Sequence, residues 1–398
     1  MKKSTLLFVI TFFFLSFSCK NQFSDIPREY RNLLTNAFEK SGDNKAELQK
    51  VLQCAPSDEK EGMAFLISYM PQIDLKHISA ELLLDNCHYA YLAKEFYSWA
   101  QSAPDSIFLN YVLPYYCLDE RRDNWRGDFF ERFSKYVSNS DDIASAIQKI
   151  NNNVRGELGV EYSAKRKKAN QSPYESLEIG IASCSGLSIL LVDAFRSVGI
   201  PARIAGAPLW YDESGNHNWV EVWIDGDWRM TEYYPDPKGL DTSWVIEKAG
   251  QCDPNSRKKA IYAASFRPTG ISFPLAWDST ISWVYATNVS DRYIKLLEAE
   301  KTDRKIGKNE SMVKIWVLNE NAKVVTSSNR ISSKVDIFED NKIVASGYSP
   351  DYKRDMNDLL HFILEREKPY VIKYVDASGR EKRKDFEVFN AIDTILLY

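Results

Sequence analysis

Cys184 and His217, thirty-three residues apart, are the residues of this chain whose types and order could do covalent chemistry. A cysteine at a helix start meets unsatisfied backbone N–H groups and the positive end of the helix dipole, and both favour the nucleophilic thiolate. An imidazole within reach completes an activated Cys–His pair, an arrangement suited to attack on an acyl carbon. A lone cysteine is more often a small buried hydrophobe. The pairing, in order and in suitable local elements, is what points to catalysis.

Those elements can be read locally. Leu187, Leu190, Leu191, Ala194, Phe195 and Val198 recur at helical spacing after Ser183-Cys184-Ser185-Gly186, predicting a helix with one apolar face. Gly199 and Pro201 stop it. Residues 203–207 are short and apolar enough for a strand, and 212–216 carry turn chemistry. From His217 to Ile224 the residues alternate, placing His217, Trp219, Glu221 and Trp223 on one strand face.

Asp225-Gly226 then reads as a two-residue hairpin turn. In that register Trp223 faces Trp228, Trp219 faces Glu232 and His217 faces Tyr234. Glu232 becomes the diagonal neighbour of His217, about 7–8 Å away between backbones and within side-chain reach. A carboxylate there can hold the imidazole tautomer and stabilise its charged form. Asp236 has the same parity but follows Pro235, where pairing should end, and is the second choice. Glu221 and Arg203 read as structural. In the cluster Trp210, Trp219, Trp223 and Trp228, packing is the commoner role; Trp210 and Trp219 are the candidates for substrate contact.

Taken together, Cys-Ser-Gly-Leu before a helix, Gly-Ile-Pro-Ala-Arg, and His-Asn-Trp-Val-Glu-Val-Trp before Asp-Gly-Asp-Trp resemble the transglutaminase-like superfamily. The resemblance covers about residues 140–295 and implies a papain-like core. It implies Cys184 as nucleophile, His217 as general base and an acid four residues after Trp228, at position 232. The family acid is usually Asp; here it is Glu232.

The N-terminus speaks to compartment. Lys2-Lys3, an apolar run from Leu6 to Phe17 and Ser18-Cys19 describe a secretory signal, with a run short for a membrane span. The Ser16-Phe17-Ser18-Cys19 end resembles a bacterial lipoprotein signal, which implies lipid on Cys19 and an envelope protein tethered to the membrane. With Cys19 and Cys184 assigned, Cys54, Cys87, Cys117 and Cys252 remain, enough for two disulfides in any of three connectivities. There is no Cys-x-x-Cys and no close Cys/His cluster, so no metal or other cofactor is expected. A net charge of −4 offers no footprint for nucleic acid, and the run Lys165-Arg166-Lys167-Lys168 reads as a solvated loop.

The chain of 398 residues suggests an α+β protein in four parts. These are a signal peptide at 1–18, a helical region at 19–139, a transglutaminase-like core at 140–299 and a β-sandwich-like module at 300–398. Residues 81–100 and 128–137 are the clearer helices. Val313–Val317, Val335–Ile337 and Tyr370–Tyr374 alternate as strands, with a hairpin at Ala377-Ser378-Gly379-Arg380. The expected activity is cysteine-dependent acyl transfer on a peptide or protein amide. Hydrolysis is favoured over crosslinking, since no calcium loop or other water-excluding device is visible. The alternative is a lipid-tethered binding protein with a degenerate core.

Overall fold

The computed structural model describes residues 23, 25–303, 309–319, 325–354, 359–390 and 392–398. The signal segment and Cys19 lie outside them. The architecture is α+β: a helical N-terminal region, a mixed core and a C-terminal β-module.

The N-terminal region runs through α1 (Arg28–Lys40), α2 (Lys45–Cys54), α3 (Lys60–Tyr69), α4 (Gln72–His77), α5 (Ala80–Phe96), α6 (Ser98–Ser102) and α7 (Asp105–Tyr111). The apolar faces of α1 to α5 and α7 make one cluster that includes Leu34, Phe65, Leu83 and Phe108, whereas α6 gives Trp99 and Ala100 to the core cluster. The next two helices, α8 (Arg126–Val137) and α9 (Ile143–Leu158), turn their apolar faces elsewhere. Phe129, Phe133, Ile147, Ile150 and Val154 pack into the cluster that holds the helix beginning at Cys184. Asp142 caps α9 by accepting from the Ser145 amide (2.8 Å), and Gly159 at φ +64° closes it.

The core opens with β1 (Glu161–Tyr162), α10 (Pro173–Ile179), β2 (Ile181–Ala182) and α11 (Cys184–Ser197). β1 and β2 pair in parallel immediately before Cys184. An antiparallel sheet follows: β3 (Ala202–Ala207), β4 (His217–Ile224), β5 (Asp227–Thr231), β6 (Tyr262–Ser265) and β7 (Tyr285–Asn288), in the order β5-β4-β3-β6-β7. α11 covers one face of it through Ile204, Val220 and Val222. The other face, with Ala205, Trp219 and Met230, is covered by α12 (Trp244–Ala249) and α13 (Ser290–Asp303).

α11 departs from the one-faced helix read from its sequence. Ser188, Ile189, Val192 and Asp193 are buried along with the leucines. The sheet takes one side, and α8, α9 and the tip of the helical region take the rest. Gly199 shows how close that tip comes. It adopts φ +75°, and a Cβ there would sit 2.6 Å from the Cβ of Ala100.

The C-terminal module contains β8 (Glu310–Val317), β9 (Lys334–Glu339), β10 (Lys342–Tyr348), β11 (Leu360–Glu365), β12 (Pro369–Val375), β13 (Glu381–Glu387) and β14 (Ile392–Leu397). They form two sheets, β10-β9-β12-β13 and β11-β8-β14. Alternate residues of β8 (Val313, Ile315, Val317) meet Val335, Ile337, Ile372 and Leu397 in a shared sandwich core.

Candidate active site

Cys184 is the first residue of α11. Ser183 caps the helix by accepting from the Gly186 amide (3.0 Å), so the Cys184 amide remains among the helix-start donors without an intrahelical acceptor. The thiol is partly exposed. His217 is the first residue of β4 and is 3% exposed.

Asn218 joins the two elements. Its Nδ2 donates to Ser185 Oγ (2.7 Å), and its carbonyl accepts from Ser188 Oγ (3.1 Å). Cys184 and His217 are therefore the chain neighbours of a bonded pair. Space for this link is made on β3, where a Cβ at Gly206 would lie 1.9 Å from Asn218 Oδ1. Neither Asn218 nor Gly206 stood out in the sequence; their pairing across β3 and β4 is what gives them a role.

The hairpin has the two-residue turn, with Asp225 at φ +53° and Gly226 at φ +86°. Ile224 pairs with Asp227 and Trp223 with Trp228. The ladder ends at Val220–Thr231, so the Trp219–Glu232 and His217–Tyr234 pairings expected from the register do not form. Tyr234 instead turns away, its hydroxyl donating to Glu161 Oε2 (2.9 Å) and accepting from the Tyr162 amide (2.8 Å).

Glu232 still reaches the imidazole: its Oε1 lies 2.8 Å from His217 Nε2. Its other oxygen, Oε2, accepts from the Ser243 hydroxyl, and Ser243 Oγ also caps α12 at the Val245 amide (3.3 Å). Ser243 is a site residue that the sequence reading missed. The available signal was a serine before an apolar helical run, which marks a helix start but says nothing of a carboxylate. Asp236 lies away from the imidazole, its Oδ1 accepting from the Lys238 amide (2.8 Å) within its own turn.

Residues 131–233, from within α8 to just past Glu232, match the family model described as the transglutaminase-like superfamily. The chain carries a transglutaminase-like domain. Among solved structures, a proposed cysteine protease from Cytophaga hutchinsonii is similar at 16% identity over 44% of this chain and 60% of its own, with a TM-score of 0.25. Red sea bream transglutaminase is similar at 11% identity over 67% of this chain and 58% of its own, with a TM-score of 0.28. This chain thus spans about three fifths of the length of each. A search of curated proteins finds no match.

Within the transglutaminase-like domain the tryptophans form a wall, which corrects the reading of Trp210 and Trp219 as substrate contacts. Trp210 is 1% and Trp219 0% exposed. They stack with ring centroids 6.1 Å apart, and Trp219 Nε1 donates to the Tyr293 hydroxyl (2.6 Å). Trp244 stands 4.9 Å from the His217 ring. This apolar backing packs against the imidazole ring and limits its orientation. Arg203 and Glu221 are structural: Arg203 Nε donates to Glu221 Oε2 (2.7 Å), and its guanidinium lies 3.8 Å from the Trp228 ring centre.

The remaining cysteines are set apart by burial. No disulfide links Cys54, Cys87, Cys117, Cys184 or Cys252. Burial pushes the thiols of Cys87, Cys117 and Cys252 up, and Cys54 is exposed. Among the described residues no group of His, Cys, Asp and Glu could hold a metal ion.

Proposed function

We propose that this protein is a cell-envelope cysteine amidase or peptidase that works through Cys184, His217 and Glu232. The observation that carries the proposal is the Glu232–His217 contact at 2.8 Å in a domain whose nucleophile candidate opens the adjacent helix. With Nε2 held by Glu232, the imidazole uses Nδ1 toward the thiol.

Cys184 Sγ attacks the amide carbonyl carbon as its proton passes to His217. The oxyanion is met by the Cys184 amide at the helix start. Collapse breaks the C–N bond, and His217 returns the proton to the departing amine, leaving a thioester. Water, deprotonated by His217, then attacks the thioester; the C–S bond breaks and the acid product leaves with the thiol restored. Glu232 keeps the tautomer that makes both proton transfers possible and balances the imidazolium. An amine in place of water would give a crosslink by the same steps.

Localisation rests on the N-terminal pattern, which supports export and lipid on Cys19. Fatty-acid labelling that persists in Cys19→Ala would remove the tether.

The enzymatic reading is tested by labelling with electrophilic acyl-donor mimics, followed by a peptide library screen on the labelled protein. Cys184 should be the modified residue, and Cys184→Ala should abolish turnover of any amide found while the melting temperature stays within a few degrees. Turnover surviving in Cys184→Ala would exclude it as nucleophile. A thiol no more reactive than that of Cys54 would favour a binding protein.

A further inference from the structure

Resting on that acyl-transfer reading, we infer that Cys184 serves an anionic acyl donor, a peptide amide flanked by carboxylates, recognised by the basic loop Lys165-Arg166-Lys167-Lys168. By sequence this run is an ordinary solvated loop, but the fold gives it an address. At its leading end the Ser163 amide donates to the Ala182 carbonyl (2.9 Å). At its trailing end the Ser183 hydroxyl donates to the Ala169 carbonyl. Ala182 and Ser183 are the two residues before Cys184, so both ends of the loop are tied to the approach to the nucleophile.

Chain length limits how far the loop can stray. At about 3.5 Å per residue, residues 164–168 running out and back cannot carry the backbone more than about 10 Å from the anchors. That is about one Debye length in 0.1 M salt. The loop also starts tightly, with the Lys165 amide on Ser163 Oγ (3.1 Å) and the Arg166 amide on the Ser163 carbonyl (3.4 Å).

The loop's charge is largely uncancelled. Lys168 pairs with Glu175 (2.9 Å). Arg166 Nη1 donates, among the described residues, to the Ala164 carbonyl (3.3 Å), and Lys165 and Lys167 are exposed. Among the described residues, Lys168 is the one member of the run in an ion pair. Acids around the site and the loop have partners: Glu232 has His217 and Ser243, Glu161 has Arg155 and Tyr234, and Asp119 accepts from the Asn170 side chain at the loop's trailing end. Three positive charges on a loop anchored at the two residues before the nucleophile raise the local anion concentration, and salt weakens the effect.

The test needs no identified substrate. Cys184 in the full chain is alkylated with iodoacetate and with iodoacetamide, in the wild type and in Lys165→Ser/Arg166→Ser/Lys167→Ser. Peptide mapping uses the exposed Cys54 as internal reference. At low salt the anionic-to-neutral rate ratio at Cys184, relative to Cys54, should fall about three- to tenfold in the triple variant, and the difference should vanish at about 0.5 M salt. Because His217 is present in both proteins, the change reports the loop. Equal ratios at low salt would overturn the inference. The iodoacetamide rate alone reads the enzymatic proposal: a fast Cys184 with a loop-independent ratio keeps the enzyme and removes the anion site. A slow Cys184 with a loop-dependent ratio removes the enzyme and with it the acyl donor, and leaves only an anion-attracting loop. No alkylation by either reagent overturns both, since an acyl donor could not reach the thiol either.

Discussion

At its C-terminal end α11 is gripped by buried arginines, whereas towards its N-terminal end two bonds to Asn218, from its side-chain amide to Ser185 and from Ser188 to its carbonyl, tie it to the strand of the candidate base. Arg196 donates to the carbonyls of Tyr111 (3.0 Å), Ala202 (3.0 Å) and Tyr116 (2.9 Å). Arg126 reaches in from α8, donating to Asn86 Oδ1 (2.7 Å) and to the carbonyls of Arg196 (3.0 Å), Val112 (2.8 Å) and Pro114 (2.9 Å). These bonds fasten the helical region to the core where no chemistry is expected. The Cys184 end carries few bonds and keeps its thiol open. One end of a single helix supplies rigidity, and the other spends it on position.

If that division is right, variants at the two ends should fail in different ways. The largest effect should come from Glu232→Gln, which should cost several orders of magnitude in kcat through lost tautomer control and charge balance. Its denaturant midpoint should stay near wild type. A kcat within tenfold of wild type would remove Glu232 as the orienting acid. Arg126→Met should do the opposite. It leaves buried carbonyls and Asn86 without a donor and should cost about 3–5 kcal/mol in chemical denaturation. The folded fraction, counted by thiol titration, should keep its turnover rate; a collapse of kcat there would merge the two ends into one unit.

Asn218→Ala falls between. It should lower kcat/KM about tenfold and stability by about 1 kcal/mol, the loss of one hydrogen bond. It should also shift the pH profile of Cys184 alkylation, which Arg126→Met should leave in place. An unchanged profile would make the Asn218–Ser185 bond a packing contact only. Asp236→Asn should be nearly silent in both activity and stability, because its carboxylate serves its own turn. A large loss would return Asp236 to the site.

What the sequence made legible was whatever short-range pattern controls. The helix start at Cys184, the strand at His217 and the turn at Asp225-Gly226 each depend on a few neighbouring residues, and the turn's register aims Glu232 at the right sheet face. Contacts across long sequence separations were hidden. Nothing local in Phe129 or Phe133 says that this face of α8 packs into the cluster around α11 while Phe130 and Arg126 of the same helix meet α5. Nothing in Trp210 distinguishes a buried wall from an open platform. The parallel pairing of β14 with β8 joins strands from opposite ends of the module, and no turn signal announces it. Ser243 was legible as a cap and illegible as a partner of Glu232, because the second role exists only once α12 has docked.

That double duty ties the imidazole's orientation to a very small element. α12 is six residues long, too short to persist by itself, and is kept in place by Val245, Ile246 and Ala249 packed near Tyr293 and Leu297. Were that docking to loosen ahead of the sheet and α11, Ser243 would leave Glu232 and the helix at once. Mild warming would then silence the protein before melting it, and cooling would restore it.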